Sequence, residues 1–262
     1  MQELTHLSLF SGIGGLDLAA EWAGFRSVGQ CEWADYPTKI LKKHWPDVPR
    51  WRDICSFTKE DFRERTGLRT VDVISGGFPC QPFSTAGLRR GKSDNRYLWP
   101  EMLRVINELR PTWIVGENVV GIKNMALDDI LTDLEAINYS TRAFVIPAAS
   151  VGAPHRRDRI AILAHANRSG DTSIVQKACA VIDGWEDVLC EQSRDPGGDQ
   201  QSKRVGSCQD WDHWNAEPRM GRVADGIPFQ MDRLRCLGNA VVPQVFYWIF
   251  LSIAKIEKSL KR

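Results

Sequence analysis

The chain has 262 residues, of which 43% are hydrophobic and 26% charged, and its formal net charge is +1. This composition is typical of a soluble globular protein with one sizeable core, and the charge alone indicates no polyanionic partner. Seven cysteines without a C-x-x-C pair argue against a disulfide framework and a ribbon-type zinc site. No window approaches the ~18 continuous apolar residues of a membrane helix, and the N-terminus lacks a secretory pattern, so we expect a cytoplasmic protein.

Short apolar runs alternate with amphipathic patterns over the first 165 residues, as in βαβ units. The predicted strands are LTHLSLF, RSVGQCE, VDVISGG, TWIVGEN, TRAFVIPA and RIAILAH, with a further strand that ends at Arg52-Asp53-Ile54. The predicted helices between them are LDLAAEWAG, YPTKILKKHW, LWPEMLRVINELR and LDDILTDLEAI. We therefore predict an α/β fold, with an open, mainly parallel sheet covered by helices on both faces.

The alternation ends between residues 166 and 231, where apolar residues become sparse. Residues 164 to 220 carry ten acidic side chains against six basic ones. A polar segment of about 60 residues is only marginally stable alone. We predict a small inserted subdomain at 166–231, within a main domain formed by residues 1–165 and 232–262. The apolar stretch VPQVFYWIFLSIAKIEKSL then predicts a C-terminal helix that packs back on the main domain.

Three features of the sequence leave alternatives open. Cys208 and His213 lie five residues apart without a second ligand pair, which favours isolated polar loop residues over a metal site. The tryptophans of the predicted insertion, Trp185, Trp211 and Trp214, fit anchors of a small core better than base contacts. Basic side chains form three clusters that could bind phosphate, and the first and last of these could equally be solvated surface charge. These clusters are Arg89, Arg90, Lys92 and Arg96; Arg156, Arg157 and Arg159; and Arg219, Arg222, Arg233 and Arg235.

Glycines cluster in LFSGIGGLDL, where the first strand should pass into the first helix. Gly12, Gly14 and Gly15 would let the backbone pass close to a ligand at a helix N-terminus, which suits a nucleotide-like cofactor. The pattern is not the dinucleotide fingerprint, because the third glycine of G-x-G-x-x-G falls on Asp17. A tight turn without a ligand is the alternative.

Acidic side chains and a thiol follow other predicted strands. Glu32 and Trp33 end the second strand, where a carboxylate can accept from ribose hydroxyls and an indole can cover an adenine. Asp53 offers another acid, although capping a helix is the commoner role there. Cys80, in GGFPCQPFS, and Glu117 end two later strands, so they should share one crevice as a nucleophile and an acid.

The ordered motifs FSGIGG, CEW, RDI, GGFPCQPFS, GENV, HRRDRI and LGNAVVPQ resemble the cytosine-5 DNA methyltransferases, in particular those of phages and restriction-modification systems. The similarity covers about 165 N-terminal residues and the last 30. It implies a Rossmann-like S-adenosylmethionine-dependent methyltransferase fold, in which 166–231 reads the target. The implied protein is a cytoplasmic, bacterial or phage-encoded monomer that methylates carbon 5 of a specific cytosine in double-stranded DNA, and its system can include a cognate restriction endonuclease.

The resemblance also implies a set of residues that bind S-adenosylmethionine. Phe10 and Trp33 would flank the adenine, Glu32 would bind the ribose, and Asp53 and Ile54 would hold the adenine edge. The residues at the methionine end would be Gly12, Gly15, Leu16, Leu98, Asn239 and Val241, and Pro79 completes the set.

The implied chemistry depends on four residues. Cys80 would add its thiolate to carbon 6 of a cytosine rotated out of the duplex, which makes carbon 5 nucleophilic. Glu117 would hold N3 and the exocyclic amine and protonate N3, which requires a raised pKa. Arg159 would bind the ring oxygen O2, and Arg157 would steady the cysteine loop. The sequence does not identify the base that removes the carbon 5 proton.

Several interpretations compete with this one. Gln81, Ser84 and residues 89–96 would grip the DNA strand, or Gln81 and Ser84 would only make loop hydrogen bonds. The stretch EPRMGRVADGIPFQMDRLRCLGNAVVP resembles only loosely the longer family motif that braces the recognition domain. An RNA cytosine-5 methyltransferase, a non-catalytic DNA-binding relative and a nicotinamide oxidoreductase are the alternative functions.

Overall fold

The computed structural model describes residues 3–79, 97–153, 155, 157–167, 173–178, 180 and 230–260. Several predictions fall outside these residues. They concern Cys80, Gln81, Ser84, the basic residues 89–96, Trp185, Cys208, Trp211, His213, Trp214, and the basic residues Arg156, Arg219 and Arg222.

Seven strands form a single sheet in the order β3-β2-β1-β4-β5-β7-β6. Their bounds are β1 Leu4–Leu9, β2 Phe25–Cys31, β3 Arg50–Trp51, β4 Val73–Gly76, β5 Trp113–Val119, β6 Tyr139–Ile146 and β7 Arg159–Ala166. All four pairings among β1 to β5 are parallel, whereas β7 runs antiparallel to both of its neighbours. The predicted open, mainly parallel sheet is therefore confirmed, and β7 is its one reversed strand.

Seven α-helices with complete bounds are described around this sheet. Their bounds are α1 Gly15–Trp22, α2 Asp35–His44, α3 Lys59–Thr66, α4 Trp99–Leu109, α5 Leu127–Ala136, α6 Gln230–Asn239 and α7 Pro243–Leu260. Residues 173–178 are also helical. The sequence pattern predicts α1, α2, α4, α5 and α7, but not α3 or α6.

The helices cover the sheet on both faces, as predicted. One buried cluster joins the sheet to α3, α4 and α5 through residues such as Phe62, Met102 and Ile130. The other joins the opposite face to α1 and α7 through residues such as Ala20 and Phe250. Successive strand residues point to opposite faces, so neighbours along one strand belong to different clusters.

The C-terminal helix α7 packs on the sheet as its apolar pattern predicts. Phe250 is fully buried, and its ring meets His6 and Phe25 edge-on at centroid distances of 5.3 and 5.6 Å. Near the end of the helix, Glu257 Oε1 accepts a 2.8 Å hydrogen bond from the indole N–H of Trp113 on β5. The C-terminal helix thus packs against strands from the first half of the chain.

Residues 173–178 contact the same surface. Their side chains Ile174, Val175 and Ala178 are buried in the cluster that contains α1 and α7. The division of the chain at 166–231 remains a prediction. Among the described helices, none is by itself long and apolar enough to cross a membrane, whereas α6 and α7, bent by 41°, pass such a test as a pair on length and composition.

Candidate active site

A cavity of about 900 Å³ opens where β1, β2, β4 and β5 end. This is the carboxyl edge of the parallel strands, where ligands of open α/β sheets bind. All twelve residues that the sequence predicts for cofactor binding line this cavity. They are Phe10, Gly12, Gly15, Leu16, Glu32, Trp33, Asp53, Ile54, Pro79, Leu98, Asn239 and Val241.

The turn from β1 to α1 forms one wall of the cavity. Gly12 and Gly14 have φ angles of 55° and 87°, a left-handed conformation that glycine adopts without penalty. Gly15 has a different reason to lack a side chain, because a Cβ there would lie 2.7 Å from Cγ2 of Val241. The start of α1 is therefore packed directly against the segment that joins α6 to α7.

The carboxylate of Glu32 is fixed at the end of β2 by two backbone amides. Its Oε2 accepts from the N–H of Gly12 and its Oε1 from the N–H of Ala34, both at 2.8 Å. Beside it, Trp33 leaves 72% of its surface exposed at the cavity. Arg52 holds this turn, since its Nη2 donates to the carbonyl of Trp33 at 2.6 Å. An acceptor and an exposed indole therefore lie side by side.

Asp53 makes the cap contact that the sequence left open as an alternative. Its Oδ1 accepts from the N–H of Cys55 at 2.9 Å and begins a short 3₁₀ helix, Ile54–Ser56. Arg104 on α4 braces the same turn by donating to the carbonyls of Ile54 and Phe57 at 2.7 and 2.9 Å. The turn thus presents Asp53 and Ile54 to the cavity from a braced backbone.

Glu117 and Arg159 form an ion pair at the cavity, with 2.9 Å between Oε1 and Nε. The register pairs Val119 of β5 with Arg159 of β7, so Glu117 and Arg159 project from the same face of the ladder. The coulombic attraction of Arg159 lowers the pKa of Glu117 more than its hydrogen bond does. Both side chains are largely buried, with 10% and 16% exposed.

Burial raises the pKa of Glu117 to about 7, while the charges of Arg159 and Arg157 act to lower it. Desolvation is the larger effect because the carboxyl has little contact with water and the charged form is penalised. At neutral pH the group therefore exists as a mixture of acid and carboxylate, which is the condition for a proton donor near pH 7.

The segment that leads to Cys80 is attached to β5. Gly77 touches the acid so closely that a Cβ would lie 2.7 Å from Oε2 of Glu117. Asn118, which follows Glu117 in β5, is buried and donates from Nδ2 to the carbonyl of Phe78 at 3.0 Å. Cys80 itself lies beyond the described residues, and Pro79 is the last position before it that lines the cavity.

Arg157 is placed against the C-terminal segment. Its Nη2 lies 3.1, 2.7 and 2.6 Å from the carbonyl oxygens of Leu237, Gly238 and Ala240. Its predicted contact with the cysteine loop involves residues that the structure does not describe, so that role stays a prediction.

Sequence reasoning did not assign some residues that the structure brings to this site. Asn118 ties the two strand ends together, and its signal is its place directly after Glu117 in the GENV motif. Asp232 and Cys236 also line the cavity from α6, together with Arg235, which the sequence placed only in a basic cluster; spacings of three and four residues from Asp232 put them on one helix face. Among the residues that the structure describes, no group of His, Cys, Asp or Glu could hold a metal ion.

The fold is a Rossmann-like α/β fold, and its cavity lies at the carboxyl edge of the parallel strands beside a buried acid-arginine pair. A model of the family described as C-5 cytosine-specific DNA methylase matches residues 4–193. The chain belongs to this family, which confirms the resemblance seen in its motifs.

Individual relatives agree with this assignment. Type II methyltransferase M.AquIA of Picosynechococcus sp. is 36% identical over an alignment of 182 positions that covers 63% of this chain and 73% of the relative. M.NgoFVII of Neisseria gonorrhoeae is 35% identical over 60% of this chain and 42% of its own length. M.HhaI of Haemophilus parahaemolyticus is 31% identical over 63% of this chain and 50% of its own length. The chain therefore spans about half the length of most of these relatives, M.AquIA excepted.

Solved structures show the same fold. A DNA modification methyltransferase encoded within an E. coli prophage aligns with a TM-score of 0.55 and 27% identity, over 63% of this chain and 47% of the other. The DNMT2 protein of Spodoptera frugiperda aligns with a TM-score of 0.53 and 24% identity, over 63% and 51% of the two chains. At that identity the second likeness shows the fold alone.

Proposed function

We propose that this protein transfers a methyl group from S-adenosylmethionine to carbon 5 of a specific cytosine in double-stranded DNA. The observation that carries the proposal is the single cavity that contains all twelve predicted cofactor residues together with Glu117 and Arg159. Membership of the cytosine-specific methylase family supports the choice of base and acceptor atom.

The residues at the cavity fit S-adenosylmethionine. The fixed carboxylate of Glu32 can accept from a ribose hydroxyl, and the exposed Trp33 ring can stack on adenine, opposite Phe10. At the other end, Gly12 has a left-handed backbone with open space where a side chain would be. Asn239 and Val241 would close the methionine end. When bound, the cofactor supplies an electrophilic methyl group on a sulfonium.

Cys80 would act as the nucleophile. Carbon 5 of cytosine is weakly nucleophilic, and addition of a thiolate to carbon 6 turns the ring into an enamine that can accept a methyl group there. A free thiol is only a few per cent ionised at pH 7, so positive charge near this site, such as that of Arg157 and Arg159, would favour the thiolate.

Glu117 would donate a proton to N3 of the cytosine as the thiolate adds to the ring. Its pKa of about 7 supports this role, because much of the acid form persists at neutral pH. The adjacent guanidinium of Arg159 would bind O2 and stabilise the negative charge that develops there. Loss of the carbon 5 proton, to a base that stays unidentified, would then release Cys80.

The partner is double-stranded DNA, and residues 166–231 are proposed as the part that reads its sequence. The target base would leave the stack at a cost of a few kcal/mol, which pocket contacts offset. Gln81, Ser84 and the basic residues 89–96 would hold the strand. We further propose a monomer in the cytoplasm of a bacterium or phage-infected cell, where a cognate restriction endonuclease can accompany it.

A covalent trap tests the mechanism without knowledge of the target sequence. The DNA is a long duplex amplified with 5-fluorodeoxycytidine triphosphate. The fluorine at carbon 5 cannot leave as the proton does, so the covalent adduct accumulates. We expect a complex that resists denaturing electrophoresis with the parent protein and cofactor, and none with Cys80→Ser. Absence of the complex with the parent protein, when it binds both DNA and cofactor, would favour a non-catalytic DNA-binding role.

A further inference from the structure

Arg157 satisfies carbonyl groups that α6 leaves open. The last four carbonyls of a helix have no partner within the helix. At the end of α6 the carbonyl of Cys236 accepts from the N–H of Ala240 at 2.8 Å, whereas those of Leu237 and Gly238 accept from Arg157. A cation at a helix C-terminus is also favoured by the helix dipole. Arg157 therefore caps a helix that lies 80 residues further along the chain.

The same contact fixes one wall of the cavity. Asn239 and Val241 line the cavity, and the carbonyl of Ala240 between them lies 2.6 Å from Nη2 of Arg157. On its other side this segment touches α1, where Val241 fills the space of a missing side chain at Gly15. The segment 237–241 is thus held from two directions.

The backbone of Arg157 adopts an unusual conformation. Its φ is 34°, in the left-handed region that residues other than glycine rarely occupy. Such a conformation persists where surrounding contacts fix it. The contacts of its side chain with α6 join the start of β7 to the C-terminal segment.

We infer that Arg157 is a positioning residue that clamps segment 237–241 over α1 and so holds the methionine-end wall of the cofactor cavity. This inference rests on the proposed function and extends it, because it gives Arg157 a task in cofactor binding before any DNA is present. The acid Glu117 feels the charge of the same guanidinium, so the clamp also contributes to the field at the catalytic acid.

The experiment compares Arg157→Ala, Arg157→Lys and a matched control, Arg110→Ala. Arg110 also has a positive φ, 50°, and donates to one carbonyl, that of Ile137, at 2.8 Å. It precedes β5, at the opposite edge of the sheet from the cavity. Titration calorimetry with S-adenosylhomocysteine, without DNA, measures the Kd, and amide hydrogen exchange measures the opening of residues 237–242.

We expect Arg157→Ala to raise the Kd at least about tenfold and to speed exchange at residues 237–242, while Arg110→Ala changes neither. Lysine keeps the positive charge on a shorter side chain. Arg157→Lys should therefore keep the pH dependence of turnover seen in the parent protein, but it should recover only part of the affinity for S-adenosylhomocysteine. It also provides a test if the alanine variant fails to fold.

A Kd within twofold of the parent for a folded Arg157 variant, or unchanged exchange at 237–242, would overturn the inference. A different result would contradict the proposed function, namely that the parent protein itself binds no S-adenosylhomocysteine.

Discussion

Glu117 is held between two opposing influences, and the balance sets when it can donate a proton. Burial raises its pKa to about 7, and two arginines limit the rise. The acid form therefore declines as the pH rises through 7. We predict that, at pH values where Cys80 is already ionised, kcat falls with rising pH and that this fall has the apparent pKa of Glu117.

The variant Glu117→Gln tests this assignment. It cannot donate an acidic proton, so we expect kcat to fall by roughly 10²–10⁴-fold and the alkaline limb to disappear. Single-turnover methyl transfer measured from pH 6 to 9 checks both effects. A glutamine variant that retains the limb would assign the ionisation to another group.

Asp17 shows what a motif comparison alone cannot reveal. In the sequence it marks only the absent third glycine of a dinucleotide fingerprint. In the structure it is completely buried in α1 and accepts from Nε2 of Gln30 at 2.9 Å, while Arg50 donates to the oxygen of the same amide at 2.9 Å. Burial raises the pKa of Asp17 to about 6.

We predict that Asp17→Asn stabilises the protein above pH 6. The neutral form of Asp17 suits the buried site. Its contribution to the free energy of unfolding is therefore complete below pH 3.8 and is lost as the pH rises through about 6. Asparagine keeps the acceptor for Gln30 but never ionises. Urea unfolding should show the stability difference between variant and parent grow by up to ~3 kcal/mol from pH 4 to 7. A constant difference would contradict the ionisation.

At the scale of elements, the contact between α1 and the segment before α7 can be tested at Gly15. A Cβ would lie 2.7 Å from Val241 Cγ2 and 3.3 Å from its carbonyl oxygen, so the segment must move. We predict that Gly15→Ala weakens S-adenosylhomocysteine binding by about tenfold, or ~1.4 kcal/mol. Calorimetry measures the change.

Gly121→Ala is the matched control for that substitution. A Cβ there would meet only Cε of Met125, at an ordinary 3.4 Å. We expect unchanged affinity. Equal losses in both variants would mean that the effect of Gly15→Ala is not specific to the contact with Val241.

The helices that the sequence failed to predict share a physical reason. α3, with the sequence KEDFRERT, buries only Phe62, so it has no apolar period. Its ends are set locally, because Thr58 Oγ1 accepts from the N–H of Asp61 at 3.2 Å and Gly67 ends the helix in a left-handed conformation. α6 likewise places Asp232 and Arg235 towards a cavity, not a core, and its Met231 and Leu237 stay exposed.

At the scale of the whole molecule, sequence alternation predicts the strands but not their directions. The run Arg159–Ala166 is apolar and buried on both faces, and such a run reads alike in a parallel and an antiparallel strand. In the structure β7 lies between β5 and β6 and pairs antiparallel with both. It matters for the site, because it brings Arg159 to the strand end that carries Glu117. The carboxyl ends of parallel strands meet at one edge, which is why Glu32 and Asp53 could be expected at one site, whereas residues such as Asn239 and Val241 were expected there only from the family resemblance.

The return of the chain through α7 makes the fold depend on residues distant in sequence. We predict that Phe250→Ala lowers the free energy of unfolding by about 3–5 kcal/mol, since the ring is fully buried against β1 and β2. Leu260→Ala, on a side chain 55% exposed at the end of the same helix, should change it by less than ~0.5 kcal/mol. Chemical denaturation of both variants measures the difference, and a small effect at Phe250 would contradict the packing described for α7.

The central claim is methylation of carbon 5 of cytosine in DNA. Its most direct test is to incubate methylation-free plasmid with the purified protein and isotopically labelled S-adenosylmethionine, digest the DNA to nucleosides and identify the labelled product by mass spectrometry. We predict labelled 5-methyldeoxycytidine with the parent protein and none with Cys80→Ser. Label in N4-methyldeoxycytidine, or label found in structured RNA under the same conditions but not in the plasmid, would contradict it.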